Sequence, residues 1–156
     1  MPITKTVALI VAMSFCVSHA VRAAPEPCRD TAESSRKLVI SFYTKALIEK
    51  QPRAAFEQYT STNFVEHKPD VPNGERAAIA KFLEDVINGL PNARWEILRT
   101  VAEKEFVFLH ARFTPVPGTP PYAIADLFRV KNCTIVEHWD VVEPPRAGQP
   151  NPISKF

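Results

Sequence analysis

The chain has few of the residues that mark common catalytic and ligand-binding motifs. It holds four glycines and three cysteines among 156 residues. There is no glycine-rich phosphate-binding loop, and no Gly-x-Ser-x-Gly turn of the kind that presents a nucleophilic serine. Cysteine and histidine do not recur at the short spacings that hold a zinc ion. These absences argue against nucleotide-binding, serine-hydrolase and zinc-finger functions.

The first 23 residues have the pattern of a secretory signal peptide. Lys5 precedes an apolar run, Val7 to Val17, that is too short to span a bilayer. Small residues at Val21 and Ala23 fit the positions that signal peptidase reads, so cleavage is predicted after Ala23. We expect a periplasmic or secreted protein without stable membrane insertion after cleavage. A retained membrane anchor is the alternative.

The mature chain, residues 24–156, is balanced in charge. The leader carries Lys5 and Arg22 and no acidic residue, which leaves 17 of the 19 basic residues against 17 acidic ones. No basic stripe remains to bind nucleic acid, so no nucleic-acid partner is expected. The length fits one domain with its own core, followed by a Pro-rich C-terminal tail.

Two cysteines, Cys28 and Cys133, remain after the leader is removed. A cysteine pair in an exported protein is a candidate disulfide. Two unrelated thiols are the alternative.

Hydrophobic periodicity divides the chain into helices followed by strands. Apolar residues at helical spacing, with N-cap and proline signals, predict three helices (Thr31–Glu49, Pro52–Tyr59 and Gly74–Asn88), with a connector at 60–74. Alternating residues then predict four strands, two from Arg94 to Ala102 and from Phe106 to Thr114, and two in a hairpin between Tyr122 and Val142. This segregated order indicates an α+β fold with an antiparallel sheet.

The hairpin between Tyr122 and Val142 is the strongest signal in the sequence. A three-residue loop at Lys131-Asn132-Cys133, with a left-handed residue at its end, would pair Val130 with Thr134. Counting back from that pair places Asp126 opposite His138.

Asp126 stands out because it shares a strand face with Ile124 and Phe128. An unpaired buried carboxylate is costly. Asp126 is therefore either a structural carboxylate, paired with His138 or capping a backbone group, or a general acid/base whose pKa an apolar pocket raises.

The hairpin sequence ADLFRVKNCTIVEHWD resembles the signature of the SnoaL-like polyketide cyclase family, in the nuclear transport factor two-like superfamily. Further similarity lies in FVEHKPDVPNG at 64–74, in FVFLHARF at 106–113 and at Phe156. The resemblance covers the chain from about Asp30 onward. In that family a glycine stands where this chain has Cys133, and a disulfide to Cys28 would offset the cost of a cysteine there.

The resemblance implies a cone-shaped fold, nuclear transport factor two-like or cystatin-like, in which a curved antiparallel sheet wraps around the N-terminal helices. The interior of the cone is the ligand site of the superfamily, whose members often dimerise through the outer sheet face. The terminal Phe156 is expected to pack back onto the body. His110 is expected to assist Asp126 in acid/base chemistry, the alternative being a buried neutral histidine. The remaining candidate pocket residues are Phe42, Phe64, His67, Phe82, Phe108, Phe128, His138 and Trp139.

Two functions of different classes follow. The first is a cofactor-independent enzyme, an aldol-type cyclase, isomerase or dehydratase, in which Asp126 removes a proton next to a carbonyl of a small hydrophobic molecule. The second is a non-catalytic envelope protein that binds such a molecule in the same cavity and leaves it unchanged. Convergence of His67, His110 and His138 on a metal, with Asp126 or Asp140, has no motif spacing to support it, and no cofactor is expected.

Overall fold

The computed structural model describes residues 29–151 and 153–156. The predicted leader and Cys28 lie outside these residues. Within them, no helix combines the length and the apolar character needed to cross a bilayer.

Three helices precede and flank the sheet. They are α1 (Ala32–Tyr43), which continues as a π-helical turn (Thr44–Ile48), α2 (Pro52–Tyr59) and α3 (Arg76–Gly89). Thr31 caps α1 through a reciprocal exchange with Ser34, in which each side chain accepts a hydrogen bond from the other residue's backbone N–H. The predicted helices are thereby confirmed, with boundaries shifted by one or two residues.

The apolar stripe predicted along the first helix is buried. Val39, Phe42, Tyr43, Ala46 and Leu47 are each at most 9% exposed. The Phe42 ring meets the rings of Phe56 and Phe128 edge-to-face, with centroids 5.0 and 5.8 Å away. Such pairs add about 0.5–1.5 kcal/mol each beyond the area they bury, so this cluster fixes α1 against the sheet.

The sheet has five strands, in the order β1-β5-β4-β3-β2. They are β1 (Thr60–Glu66), β2 (Arg94–Glu103), β3 (Phe106–Thr114), β4 (Tyr122–Lys131) and β5 (Thr134–Glu143). The sheet is curved and unclosed, and the helices pack in its hollow, which confirms the predicted α+β cone.

The prediction of four antiparallel strands was wrong in one respect. Residues 60–66, read as part of a connector, form a fifth strand that runs parallel to β5, so the sheet is mixed. The run Thr60 to Asn63 is polar, and the buried residues of this segment are Thr60, Phe64 and Glu66. Backbone pairing with β5, which the sequence pattern does not report, makes this segment a strand.

The β4–β5 hairpin differs from its predicted register. Lys131 pairs with Thr134 across a two-residue turn, in which Asn132 and Cys133 both have positive φ, 49° and 58°. The left-handed backbone expected at Cys133 is confirmed, whereas the three-residue loop is wrong. The carboxylate of Asp30 accepts hydrogen bonds from both turn N–H groups at 2.9 Å, which stabilises a turn that favours asparagine and glycine.

A β-bulge in β5 follows the turn and shifts the alternation of side chains by one residue. Val130 pairs with Ile135, but Arg129 pairs with Glu137, which leaves Val136 as an extra residue. Ile135 faces the interior before the bulge, and His138 faces it after the bulge. The bulge therefore decides which face of β5 carries His138.

The C-terminal Phe156 packs back onto the body, as expected. Its ring stacks on His110, with centroids 6.1 Å apart, and lies 4.5 Å from the Arg112 guanidinium. Both partners lie on the outer face of β3, so Phe156 covers the outer face at these two residues.

The close contact between the 3-10 turn at Pro72–Gly74 and the end of β1 can be tested by substitution of Gly74. A Cβ at this position would lie 2.5 Å from the Glu66 carbonyl oxygen, and the φ of Gly74 is +64°. We expect Gly74→Ala to lower the free energy of unfolding by more than the ~1–2 kcal/mol of a left-handed alanine, because the backbone of β1 must also move. Urea denaturation measures the loss.

Gly118→Ala is the matched control. Gly118 also has a positive φ, +83°, but a Cβ there meets nothing within 4 Å. The difference between the two variants reports the clash with Glu66 alone. Equal losses would contradict a tight join at Gly74.

Candidate functional site

A cavity of about 310 Å³ lies between the helices and the concave face of the sheet. This volume falls at the small end of ligand pockets, which run from about 300 to 1,000 Å³. Most of its wall is aromatic or aliphatic, with the charged side chains gathered at one region. Of the predicted pocket residues, the structure places at this wall Phe42, Phe64, Phe82, Phe128, His138 and Asp126.

Three charged side chains form a hydrogen-bonded chain at the polar part of the wall. His138 Nε2 lies 3.1 Å from Asp126 Oδ1, and His138 Nδ1 lies 3.0 and 2.9 Å from the two carboxylate oxygens of Glu66. The side chains of Glu66, Asp126 and His138 are 0%, 7% and 12% exposed. A histidine held by a carboxylate at each ring nitrogen donates from both nitrogens when it is protonated.

The two carboxylates keep His138 charged. Burial alone would lower the pKa of His138, but the hydrogen bonds and negative charges of Asp126 and Glu66 outweigh burial and raise the pKa to about 9. Burial raises the pKa of Asp126, and the hydrogen bond from His138 opposes that rise only in part. The result is a buried imidazolium beside a carboxylate that is a stronger base than a solvated aspartate.

Asp126 keeps one oxygen unused. Oδ1 receives the His138 hydrogen bond, whereas Oδ2 is buried and has no hydrogen-bond partner among residues 29–151 and 153–156. Most buried polar atoms in proteins are satisfied, so an unsatisfied carboxylate oxygen in a cavity wall is notable.

A second ion pair borders the same cavity. Lys68 Nζ donates to Asp140 Oδ2 at 2.9 Å and lies 5.9 Å from the centre of the Phe82 ring. Burial would lower the pKa of Lys68, but the Asp140 carboxylate raises it, so the amine stays charged. The backbone N–H of Lys68 also donates to Glu66 Oε1 at 2.9 Å, which links the two groups.

The alternation of side chains along β1, β4 and β5 places Glu66, Asp126 and His138 on the face of the sheet that lines the cavity. Asp126 alternates inward with Ile124 and Phe128 on β4, as predicted from the sequence. Glu66 is the last residue of β1 and pairs with His138 on β5. Asp126 itself pairs with Asp140, not with His138 as predicted, so the contact of Asp126 with His138 is diagonal.

Two candidate residues of β3 lie on the wrong face for the cavity. Leu109, not His110, is the inward neighbour of Asp126. His110 Nδ1 is 2.8 Å from an Arg99 guanidinium nitrogen on the outer face, so its expected partnership with Asp126 is wrong. Phe108 shares this outer face and is 38% exposed, so it does not line the cavity.

The other two misplaced candidates pack against each other outside the cone. The rings of His67 and Trp139 stack at 4.6 Å and 6°. His67 Nε2 also lies 2.8 Å from Glu137 Oε1. His67, His110 and His138 therefore occupy separate places and do not converge on one point.

Sequence reasoning did not place six polar residues at the cavity wall, namely Tyr43, Glu66, Lys68, Asp70, Tyr122 and Asp140. Alternation carried a usable signal for two of them, because Glu66 shares parity with Phe64 and Asp140 shares parity with His138. Alternation carried no signal for Tyr43, which lies in an apolar helical stripe typical of a core. It carried none for Lys68 either, because Lys68 lies beyond the end of β1.

The fold is similar to that of several solved proteins of low sequence identity. An NTF2-like protein of unknown function from Mesorhizobium loti is 19% identical, with a TM-score of 0.60, over 75% of this chain and 97% of its own. A proposed polyketide cyclase from Bacillus cereus is 19% identical, with a TM-score of 0.60, over 70% and 74%. A proposed ketosteroid isomerase from Kribbella flavida is 17% identical, with a TM-score of 0.57, over 78% and 84%.

No curated protein matches the chain significantly in sequence. The model of the SnoaL-like domain matches residues 39–138, which is more than half of the chain and includes Glu66, Asp126 and His138. The chain belongs to the family of SnoaL-like domains.

Proposed function

We propose that the protein is a cofactor-independent acid/base enzyme that acts on a small apolar carbonyl compound in the cavity. Aldol-type cyclisation, isomerisation and dehydration are the reactions that this chemistry serves. The observation that carries the proposal is the state of Asp126, buried in a mostly apolar wall, with Oδ1 held by His138 and Oδ2 without a partner among the described residues.

In the proposed first step, Asp126 Oδ2 takes a proton from the carbon next to the substrate carbonyl. The electrons of the C–H bond form a carbon–carbon double bond, and the carbonyl π electrons move to oxygen, which gives an enolate and a neutral Asp126. Return of the proton to another carbon completes an isomerisation. Attack of the enolate on a second carbonyl forms an alkoxide, which takes the proton back from Asp126 to give the aldol product. In a dehydration the β-hydroxyl leaves with that proton as water.

His138 supports this step in two ways. Its hydrogen bond fixes the Asp126 carboxylate, so the unused oxygen has a defined direction. Its positive charge, held by Glu66 from the other side, favours the ionised form of Asp126 against the effect of burial on the pKa. A base must be ionised yet strong at the working pH, and this balance provides both conditions.

The second candidate is a binding protein that holds its ligand unchanged, which the aromatic wall around Phe42, Phe82 and Phe128 favours. Incubation with a panel of cyclic ketones, enones and β-dicarbonyl compounds in D₂O separates the two functions. An enzyme exchanges α-hydrogen for deuterium, or forms product, faster than buffer does, as seen by NMR and mass spectrometry. Retention of unchanged ligand with no exchange across the panel would favour the binding protein.

Export and a Cys28–Cys133 disulfide are also proposed. Support for the bond comes from Asp30, two residues after Cys28, because its carboxylate binds the backbone of the turn that contains Cys133. Thiol counting on the denatured, unreduced mature protein tests the bond. Two reactive thiols per chain would contradict it.

A homodimer through the outer face of the sheet is supported by the exposure of Val101, Phe106, Phe108 and Val141. Sedimentation equilibrium tests it. A monomer at tens of micromolar would contradict this proposal and leave the others intact.

A further inference from the structure

A second hollow, of about 640 Å³, lies between the end of the π-helical turn, the start of β2 and the loop that follows β3. Its volume falls within the range of small-molecule pockets, about 300–1,000 Å³. Leu47 and Trp95 border both this hollow and the cavity, and they are the two wall residues that the spaces share. Both are at most 9% exposed, so at these positions a single side chain separates the two spaces.

The second hollow is rich in N–H donors that have no acceptor. Arg94 borders it, is exposed, and has no ion-pair or hydrogen-bond partner for its guanidinium within residues 29–151 and 153–156. The indole N–H of Trp95 has no acceptor in the same part of the chain. Lys50 Nζ donates to the carbonyl oxygen of Pro91, which holds this ammonium beside the segment that carries Arg94 and leaves it two further N–H groups.

The charge of the second hollow is opposite to that of the cavity. Glu96 is its acidic wall residue, and Arg112 Nη1 already donates to Glu96 Oε2 at 3.4 Å. The two cations Lys50 and Arg94 therefore face one paired carboxylate. The cavity wall instead has four carboxylates against two cations (Glu66, Asp70, Asp126 and Asp140 against Lys68 and His138). An anion is accordingly favoured in the second hollow and repelled by the cavity.

We propose that the second hollow binds a small organic carboxylate, with its acid group on Arg94 and Lys50 and its apolar body against Ile48 and Trp95. The guanidinium of arginine presents parallel N–H groups that match the two oxygens of a carboxylate. Ile48 borders the hollow and is 46% exposed, so an apolar body there covers a side chain that water now contacts. This site goes beyond the proposed function and does not depend on Asp126.

The aromatic acid 2-naphthylacetate and its neutral amide, 2-naphthylacetamide, are suitable probes. In ¹H–¹⁵N NMR spectra of the labelled protein, we expect the acid to shift the indole N–H of Trp95 and the backbone N–H groups of Asn92 and Gly118, which border the hollow. The indole N–H of Trp139, which stacks on His67 elsewhere, should stay in place. The amide should bind about fivefold or more weakly, because it lacks the charge that the two cations recognise.

Substitution of the cations identifies the site. Arg94→Gln should lower the affinity for 2-naphthylacetate about fivefold or more, and Lys50→Gln should lower it in the same direction. Lys104→Gln is the matched control, because Lys104 is also a lysine with positive φ, 51° against 60° for Lys50, but follows the opposite end of β2 and does not border the hollow. This control should bind as wild type does.

Several results would overturn the inference. They are equal affinity for the acid and the amide, equal affinity of Arg94→Gln and Lys104→Gln, or no shift up to the solubility limit of the acid. Shifts confined to Phe42 and Phe128 would place the probe in the cavity and would also overturn it. Inorganic phosphate that bound as tightly as 2-naphthylacetate would contradict the role of the apolar body. None of these results bears on Asp126, whose role is tested by turnover.

Discussion

Replacement of Asp126 by asparagine is expected to lower turnover by about 10²–10⁴-fold, the contribution typical of a general base. Asparagine has nearly the same shape, and its carbonyl oxygen can still accept the hydrogen bond from His138, but it cannot take a proton from carbon. The rate of α-hydrogen exchange or product formation, measured at saturating substrate, reports the loss. Stability should fall by less than on loss of His138, because asparagine keeps the hydrogen bond to His138 and Glu66 still faces the imidazolium.

Asp85→Asn is the matched control for this substitution. Asp85 is an exposed residue of α3 whose carboxylate meets Lys81, and it is not part of the cavity wall. Circular dichroism should be alike for both variants. Full activity of a well-folded Asp126→Asn protein would refute the proposed function.

Replacement of His138 by alanine is expected to lower the free energy of unfolding by about 3–5 kcal/mol, the usual result of removing one partner of a buried ion pair. The substitution leaves the carboxylates of Glu66 and Asp126 without the cation that lies between them, and both side chains are almost fully buried. Urea denaturation at neutral pH measures the loss.

The pH dependence of this loss has a defined sign. The pKa of His138 in the folded protein, about 9, lies above its ordinary value of 6.5. The folded state therefore holds a proton that the unfolded state releases between these values. The stabilisation by His138 is fully present below pH 6.5 and disappears as the pH rises through 9. The difference in stability between wild type and His138→Ala should accordingly shrink above pH 9.

His67→Ala provides the contrast. His67 also contacts a glutamate, at 2.8 Å, but it is 39% exposed, and its partner Glu137 retains Arg129. Loss of this exposed contact with Glu137 should cost about 1 kcal/mol or less, as exposed pairs do. A loss for His138→Ala no larger than that for His67→Ala would contradict the buried charge chain.

Strand parity was the part of the site that the sequence could predict. Alternation on one strand placed Asp126 on the same face as Ile124 and Phe128, and this is the buried face of β4. Periodicity cannot tell which face of a strand meets the core. For β3 the resemblance to the family supplied the wrong choice, because the inner partner of Asp126 is Leu109.

The pairing of distant segments was the part that the sequence could not predict. Glu66 and His138 meet because β1 joins the edge of β5, a contact over 72 residues that no local pattern encodes. The observed hairpin has a two-residue turn followed by a bulge, whereas the predicted hairpin had a three-residue loop and no bulge. Both arrangements place Asp126 and His138 on the same side of the sheet. The shared face was predicted correctly, while the register itself was wrong by two positions.

The extra residue in β5 has a consequence for how the strand responds to change in length. Deletion of Val136 would remove the extra residue, so Ile135 and Glu137 would alternate regularly, and His138 and Asp140 would stay on the inner face. A strand that kept Val136 but lost the bulge would instead turn His138 and Asp140 to the solvent side and bring Glu137 and Trp139 into the hollow. The face of His138 is therefore counted correctly from the turn only when the bulge is included.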